Sequence, residues 1–143
     1  MSSKIVIVDY GMGNLHSVNK AIAAVGGELI TSDAEIIARA EKLILPGVGA
    51  FGDCMANLAD SGLIPVLQDY LHSGRPFLGI CLGMQVLFEG SDEAPGVKGL
   101  GYFQGQVRKL STALKIPHMG WNQLQLRNSS PLLEAAAGEY VYF

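Results

Sequence analysis

Pro76-Phe-Leu-Gly-Ile-Cys-Leu-Gly-Met-Gln85 is the stretch on which the fold turns. It is a short apolar strand that runs straight into Gly79-Ile80-Cys81-Leu82-Gly83, after which Met84 to Glu89 favour helix. The reactive side chain, Cys81, falls at the break. A nucleophile elbow has this form: the nucleophile sits on a tight, strained turn between strand and helix, and flanking glycines are needed where a Cβ would collide with neighbouring backbone. Cysteine in place of serine keeps that geometry, and a thiol at a helix N-terminus gains from the helix dipole, which favours the attacking thiolate. A cysteine in an apolar strand is otherwise most often a small core residue. The two spaced glycines and the strand-to-helix switch argue for the elbow.

Upstream, the same alternation repeats. Lys4 to Val8 is a β-branched run that ends at Asp9-Tyr-Gly-Met-Gly-Asn14. Leu15, Val18, Ile22 and Val25 then recur at helical spacing, with Asn14 suited to the N-cap and Gly26-Gly27 to the stop. Glu28 to Thr31 is a second strand, and Ser32 with Glu35 forms a capping-box pattern for a helix through Ala40. Lys42 to Pro46 is a third, nearly all apolar strand, followed by Gly47-Val-Gly-Ala-Phe-Gly52 and helices over Asp53 to Asp60 and Leu63 to Ser73. Apolar strands separated by helices predict an α/β fold with a doubly wound, mostly parallel sheet covered on both sides, flavodoxin-like, with Cys81 at the carboxyl end of a strand.

Downstream of Gly90 the pattern changes. Ser91 to Gly101 reads as loop, Tyr102 to Leu110 and Gly120 to Arg127 as antiparallel strands, Asn128 to Pro131 as a turn that starts a short helix through Ala137, and Glu139 to Phe143 as another strand. A strand that stops on Tyr142-Phe143 gives the expectation of one domain over 1–143 whose antiparallel C-terminal part is incomplete.

The totals agree with a globular domain that buries its own core: 143 residues, 49% hydrophobic and 16% charged, with a mean hydropathy of +0.28. So few charges leave apolar surface free for a partner. A net charge of −3 and scattered Lys and Arg exclude a nucleic-acid footprint. No apolar run reaches membrane-spanning length, and Met1-Ser-Ser-Lys4 leads straight into strand, so the expected compartment is the cytoplasm. Cys54 and Cys81 are too few for a disulfide framework, and no residues have metal-ligand spacing, so neither metal nor cofactor is expected.

Gly47, Gly49 and Gly52 match the dinucleotide pattern G-x-G-x-x-G only formally, because no strand ending in an acidic residue follows at the required distance. Gly47 to Gly49 are better used as backbone that approaches a substrate and offers an N–H to a developing oxyanion, beside the N–H of Leu82 that follows the nucleophile. Asp9 to Asn14 reads equally as a phosphate cradle or as a turn with an N-cap. A thiol nucleophile needs a base. His72 lies on a polar helix side, His16 just past a helix start, and His118 in Ile116-Pro-His-Met-Gly-Trp-Asn122, whose Met and Trp suit a contact surface. In elbow enzymes the histidine follows the nucleophile in the chain, which places the missing base after Cys81 and leaves room for it past residue 143.

Gly79-Ile-Cys-Leu-Gly-Met-Gln85 together with Leu45-Pro-Gly-Val-Gly-Ala-Phe51 resembles the class I (triad) glutamine amidotransferases. Most of that class have His where this chain has Met84, and Pro-Gly-Pro-Gly where it has Pro46-Gly-Val-Gly49. These departures, with Asp9-Tyr-Gly-Met-Gly-Asn-Leu15 and Pro117-His-Met-Gly-Trp-Asn122, are similar to one branch: glutaminase subunits that pass ammonia to a (β/α)8-barrel cyclase making imidazole glycerol phosphate in histidine biosynthesis. The resemblance implies that Cys81 forms a thioester with glutamine, that Val48 and Leu82 hold the oxyanion, and that Gly47, Gly49 and Gln85 line the substrate. Asn14, His118, Met119, Trp121 and Tyr142 would face the cyclase in a heterodimer. The catalytic His and Glu of the family lie in a C-terminal segment, so the 143 residues alone are expected to be nearly inactive. The rivals are another class I amidotransferase, a small cysteine hydrolase or glyoxalase-like enzyme, and a flavodoxin-like nucleotide-binding module.

Overall fold

The computed structural model describes residues 5–27 and 29–143. Lys4 and Glu28, the first residues of two expected strands, lie outside them. Two compact units form, Met1–Lys109 and Leu110–Phe143.

The first unit is built on a parallel sheet. Its strands are β1 (Ile5–Val8), β2 (Ile30–Thr31), β3 (Lys42–Gly47) and β4 (Phe77–Cys81), in the order β2-β1-β3-β4. That order puts the topological switch between β1 and β3, so the loops leaving their carboxyl ends flank the natural ligand crevice of such a sheet. In register Ile5 pairs with Lys42, and Leu43 with Phe77 through to Gly47 with Cys81. The connecting helices are α1 (Leu15–Ala23), α2 (Ala34–Ala38), α3 (Phe51–Asp60), α4 (Ile64–His72) and α5 (Leu82–Gln85).

Val6, Val8, Leu43 and Leu45 pack with Ile37, Phe51, Cys54, Leu58, Leu67 and Tyr70 in one core. Ile7 and Ile44, also buried, project to the opposite face by the two-residue alternation of strands. β1 and β3 are therefore covered on both sides, as their unbroken apolar runs predict. β4 is not. Leu78 and Ile80 are 47% and 36% exposed, because β4 stands at the edge of the sheet among the described residues.

Several boundaries differ from the sequence reading for local reasons. Asn14 caps α1, its side chain accepting the Ser17 N–H at 3.2 Å. The cap of α2 is Asp33 rather than Ser32: the Asp33 carboxylate accepts from the Glu35 and Ile36 amides, a stronger acceptor one residue on. α3 starts at Phe51, ahead of the expected Asp53. α5 ends at Gln85, because the chain tightens there into bonds from Leu87 to Met84 and from Phe88 to Gln85.

Tyr102 to Leu110 is not a long antiparallel strand. Gly101 and Gly105 hold positive φ of 68° and 106°, and the only ladder in this stretch is a parallel one between β5 (Gly90–Ser91) and β6 (Gln106–Val107). In the second unit, β7 (Trp121–Gln123) and β8 (Tyr140–Tyr142) do pair antiparallel, with Trp121 opposite Tyr142. The expected short helix is a single 3₁₀ turn at Glu134–Ala136.

Candidate active site

Cys81 has φ 56° and ψ −116°, the one positive φ outside glycine among the described residues. A residue with a Cβ reaches that region at a cost of about 1–3 kcal/mol, and the surrounding packing must enforce it. Here the packing is backbone against backbone. A Cβ on Gly79 would lie 2.5 Å from the Gly83 oxygen and 2.7 Å from Met84 Cα, and one on Gly83 would overlap the Leu45 carbonyl oxygen. The two glycines thus let α5 fold back onto β4 and β3, leaving the Cys81 side chain exposed. Cys54 is buried and both thiols are free, so no disulfide joins them.

Gly47 is buried opposite Cys81 in the ladder, and its missing Cβ is equally needed: it would meet Gly83 N at 2.7 Å and Leu82 Cβ at 2.8 Å. This close approach is to the chain's own elbow, not to a pyrophosphate, and Gly52 lies inside α3. Val48 and Leu82 follow Gly47 and Cys81 at the same end of neighbouring parallel strands. Gly49 turns with φ 91° and, like Val48, is exposed; Gln85 at the end of α5 is half-buried. Cys81 and the two candidate N–H donors are therefore at the carboxyl ends of neighbouring strands, Val48 just past β3 and Leu82 at the start of α5.

The loop Asp9 to Asn14 behaves as a turn. Asp9 Oδ1 accepts the Gly11 N–H at 3.0 Å and Asn14 caps α1, so both polar side chains serve the local backbone. Its far side packs on the strand-β3 loop: Gly13 has room for no Cβ beyond 3.3 Å from the Pro46 ring, and Met12 Cε is 3.4 Å from the Cβ position of Gly49.

No imidazole among the described residues is hydrogen-bonded to Cys81. His72 is exposed, its Nδ1 2.7 Å from the Gln68 carbonyl, to which it donates because a carbonyl can only accept. His16 is exposed in the first turn of α1. In the second unit His118 Nε2 accepts from Asn122 Nδ2 at 2.6 Å, and Met119, Trp121 and Tyr142 are 67%, 68% and 58% exposed, with Trp121 edge-on to Tyr142 at 5.6 Å. Among the described residues no group of three or more His, Cys, Asp and Glu could hold a metal ion, and no helix is long and apolar enough to cross a membrane.

Two residues at the site escape sequence reasoning. Glu93 Oε2 accepts the Phe51 N–H at 3.0 Å across 42 positions, giving α3 the N-terminal acceptor that Ala50 cannot supply. Tyr10 reaches from the end of β1 to donate its hydroxyl to the Pro46 carbonyl at 2.8 Å. Neither has a local sequence signal: Glu93 reads as a solvated acid in a loop, and Tyr10 as one more turn residue.

Residues 6–142 match the family model described as glutamine amidotransferase class-I. Three curated relatives are each an imidazole glycerol phosphate synthase subunit HisH. The chain is 49% identical to the Aquifex aeolicus protein over 141 residues, covering 96% of this chain and 68% of that protein. It is 51% identical to the Methanothermobacter thermautotrophicus protein over 140 residues, covering 97% and 70%, and 49% identical to one from Bacillus cereus over 141 residues, covering 97% and 68%.

Proposed function

The chain belongs to the class-I glutamine amidotransferase family, and from that premise we propose that Cys81 is the nucleophile that takes ammonia from glutamine for imidazole glycerol phosphate synthesis in histidine biosynthesis. The Cys81 sulfur adds to the side-chain amide carbon, and the oxyanion that forms is held by the N–H groups of Val48 and Leu82. Collapse expels the amide nitrogen, which leaves as ammonia after gaining a proton, and a γ-glutamyl thioester remains. Water adds to the thioester, glutamate departs and the thiol is restored, so glutamine and water give glutamate and ammonia. Gly47, Gly49 and Gln85 hold the glutamine. The ammonia passes to a (β/α)8-barrel cyclase subunit in a cytoplasmic heterodimer, docked on Asn14, His118, Met119, Trp121 and Tyr142.

The observation that carries this reading is the strained Cys81 backbone, opposite Gly47 in the ladder, on an elbow that Gly79 and Gly83 allow to close on β4 and β3. None of His16, His72 and His118 is assigned the base, and the 143 residues alone are assigned slow turnover. The test is Cys81→Ala in the enzyme assembled with its cyclase. Synthesis driven by glutamine should vanish while synthesis from added ammonia persists. Loss of both together would make Cys81 a structural residue, and rapid ammonia release by the 143 residues with the cyclase present would contradict the slow turnover assigned to them.

A further inference from the structure

Tyr10 is a buried polar side chain beside the site to which the proposed chemistry gives no task. It is 4% exposed, and its hydroxyl lies 2.8 Å from the Pro46 carbonyl oxygen and 3.2 Å from Cys54 Sγ. The carbonyl can only accept, so the single hydroxyl hydrogen goes to Pro46 and the Cys54 S–H donates to the phenol oxygen. Burial pushes the titration of both groups upward, so this relay keeps its hydrogens at neutral pH.

We infer that Tyr10 is a positioning residue for the oxyanion loop: its hydroxyl fixes the Pro46–Gly47 peptide and, through it, the direction of the next N–H, that of Val48. The β1–β3 ladder ends at Ile7 and Ile44, so β1 itself lends no ladder bond as far along β3 as Pro46. Tyr10, just past β1, reaches back to supply one from a side chain. Gly47 is the swivel that follows. It has no side chain to resist rotation, and the Tyr10 hydroxyl oxygen sits 3.0 Å from where its Cβ would be, around the same point that Gly83 N and Leu82 Cβ approach to 2.7 and 2.8 Å. The peptide that leads into the oxyanion loop is thus hydrogen-bonded by the phenol, and both phenol and elbow crowd the glycine that follows it.

This inference rests on the roles proposed for Cys81 and Val48, and two alkylating probes separate it from them. A chloroketone analogue of glutamine, with –CO–CH2Cl in place of the amide, draws on the oxyanion hole because the sulfur first adds to its carbonyl. Iodoacetamide reacts by direct displacement at carbon and makes no such demand. In the wild-type chain, Cys81 should prefer the chloroketone. Tyr10→Phe should lower the ratio of the two rates roughly tenfold, less than the 10²–10³-fold loss from deleting an oxyanion donor outright, with the iodoacetamide rate unchanged. Cys54→Ala, which leaves the bond to Pro46 in place, should preserve the ratio.

A wild-type ratio in Tyr10→Phe would overturn the role of Tyr10 and leave Cys81 untouched. Equal slowing with both probes, or the same fall in Cys54→Ala, would reduce Tyr10 to a packing residue. A wild-type chain without preference for the chloroketone would remove the oxyanion site, and the role of Tyr10 with it.

Discussion

A Cβ on Gly83 would strike the carbonyl oxygen of Leu45 and stand 2.7 Å from its carbon, and both are backbone atoms in the central strand that cannot swing aside. Gly83→Ala should therefore cost about 3 kcal/mol, the upper end for overpacking, read as a lower urea midpoint with an unchanged slope. A change below about 1 kcal/mol would mean that the elbow is not pressed on β3 as described. The same contact explains why the elbow was legible in the sequence. Glycines at 79 and 83 around a lone thiol are a local signature of backbone meeting backbone, so their spacing alone pointed to the turn that Cys81 adopts. Tyr10 and Glu93 act on residues 36 and 42 positions away, and nothing in their neighbours along the chain records those partners.

Elements were legible where their signal is periodic. α1 and α4 follow apolar spacing and keep close to the expected limits. α5 and the stretch from Tyr102 to Leu110 were misjudged because residue preference is overruled there by positive-φ glycines and by tightened turns. Burial of β4 was misjudged because an apolar run does not say whether its strand is central or at an edge. α2 shows an element held from a distance. Arg75 donates through Nη1 to the carbonyls of Ala38 and Ala40 at 2.9 and 2.8 Å, satisfying acceptors that a helix C-terminus leaves open, while its guanidinium lies 4.1 Å over the Tyr70 ring. Arg75→Ala should cost about 1.5–3 kcal/mol, the range for hydrogen bonds to a charged donor. Arg75→Lys should recover only part of it, since an ammonium cannot offer the planar fork. Equal stability of all three in thermal unfolding would show the clamp to be idle.

At the scale of the molecule, the core contains titratable groups that stay neutral to higher pH in the folded chain than in the unfolded one. Burial raises the titration of Tyr10 first of all, helped by Cys54; it raises that of Cys54, against a smaller lowering by Tyr10, and that of Tyr70, against Arg75. Each group holds its proton to higher pH in the folded chain than in the unfolded one. The unfolded chain therefore deprotonates first, and the stability that these groups contribute is complete below their ordinary range and falls as pH rises through it. The ordinary values are 9.0 for the thiol and 10.0 for the two phenols. The unfolding free energy from urea titrations, followed with pH, should lose nothing to these groups below about pH 8.5 and then decline with a slope approaching ~1.4 kcal/mol per pH unit for each group engaged. Cys54→Ala should delay the onset of the decline, because the phenols titrate later. A flat profile to about pH 11 would mean that water reaches these groups in the folded chain, and that Cys54, Tyr10 and Pro46 do not form a closed, neutral relay.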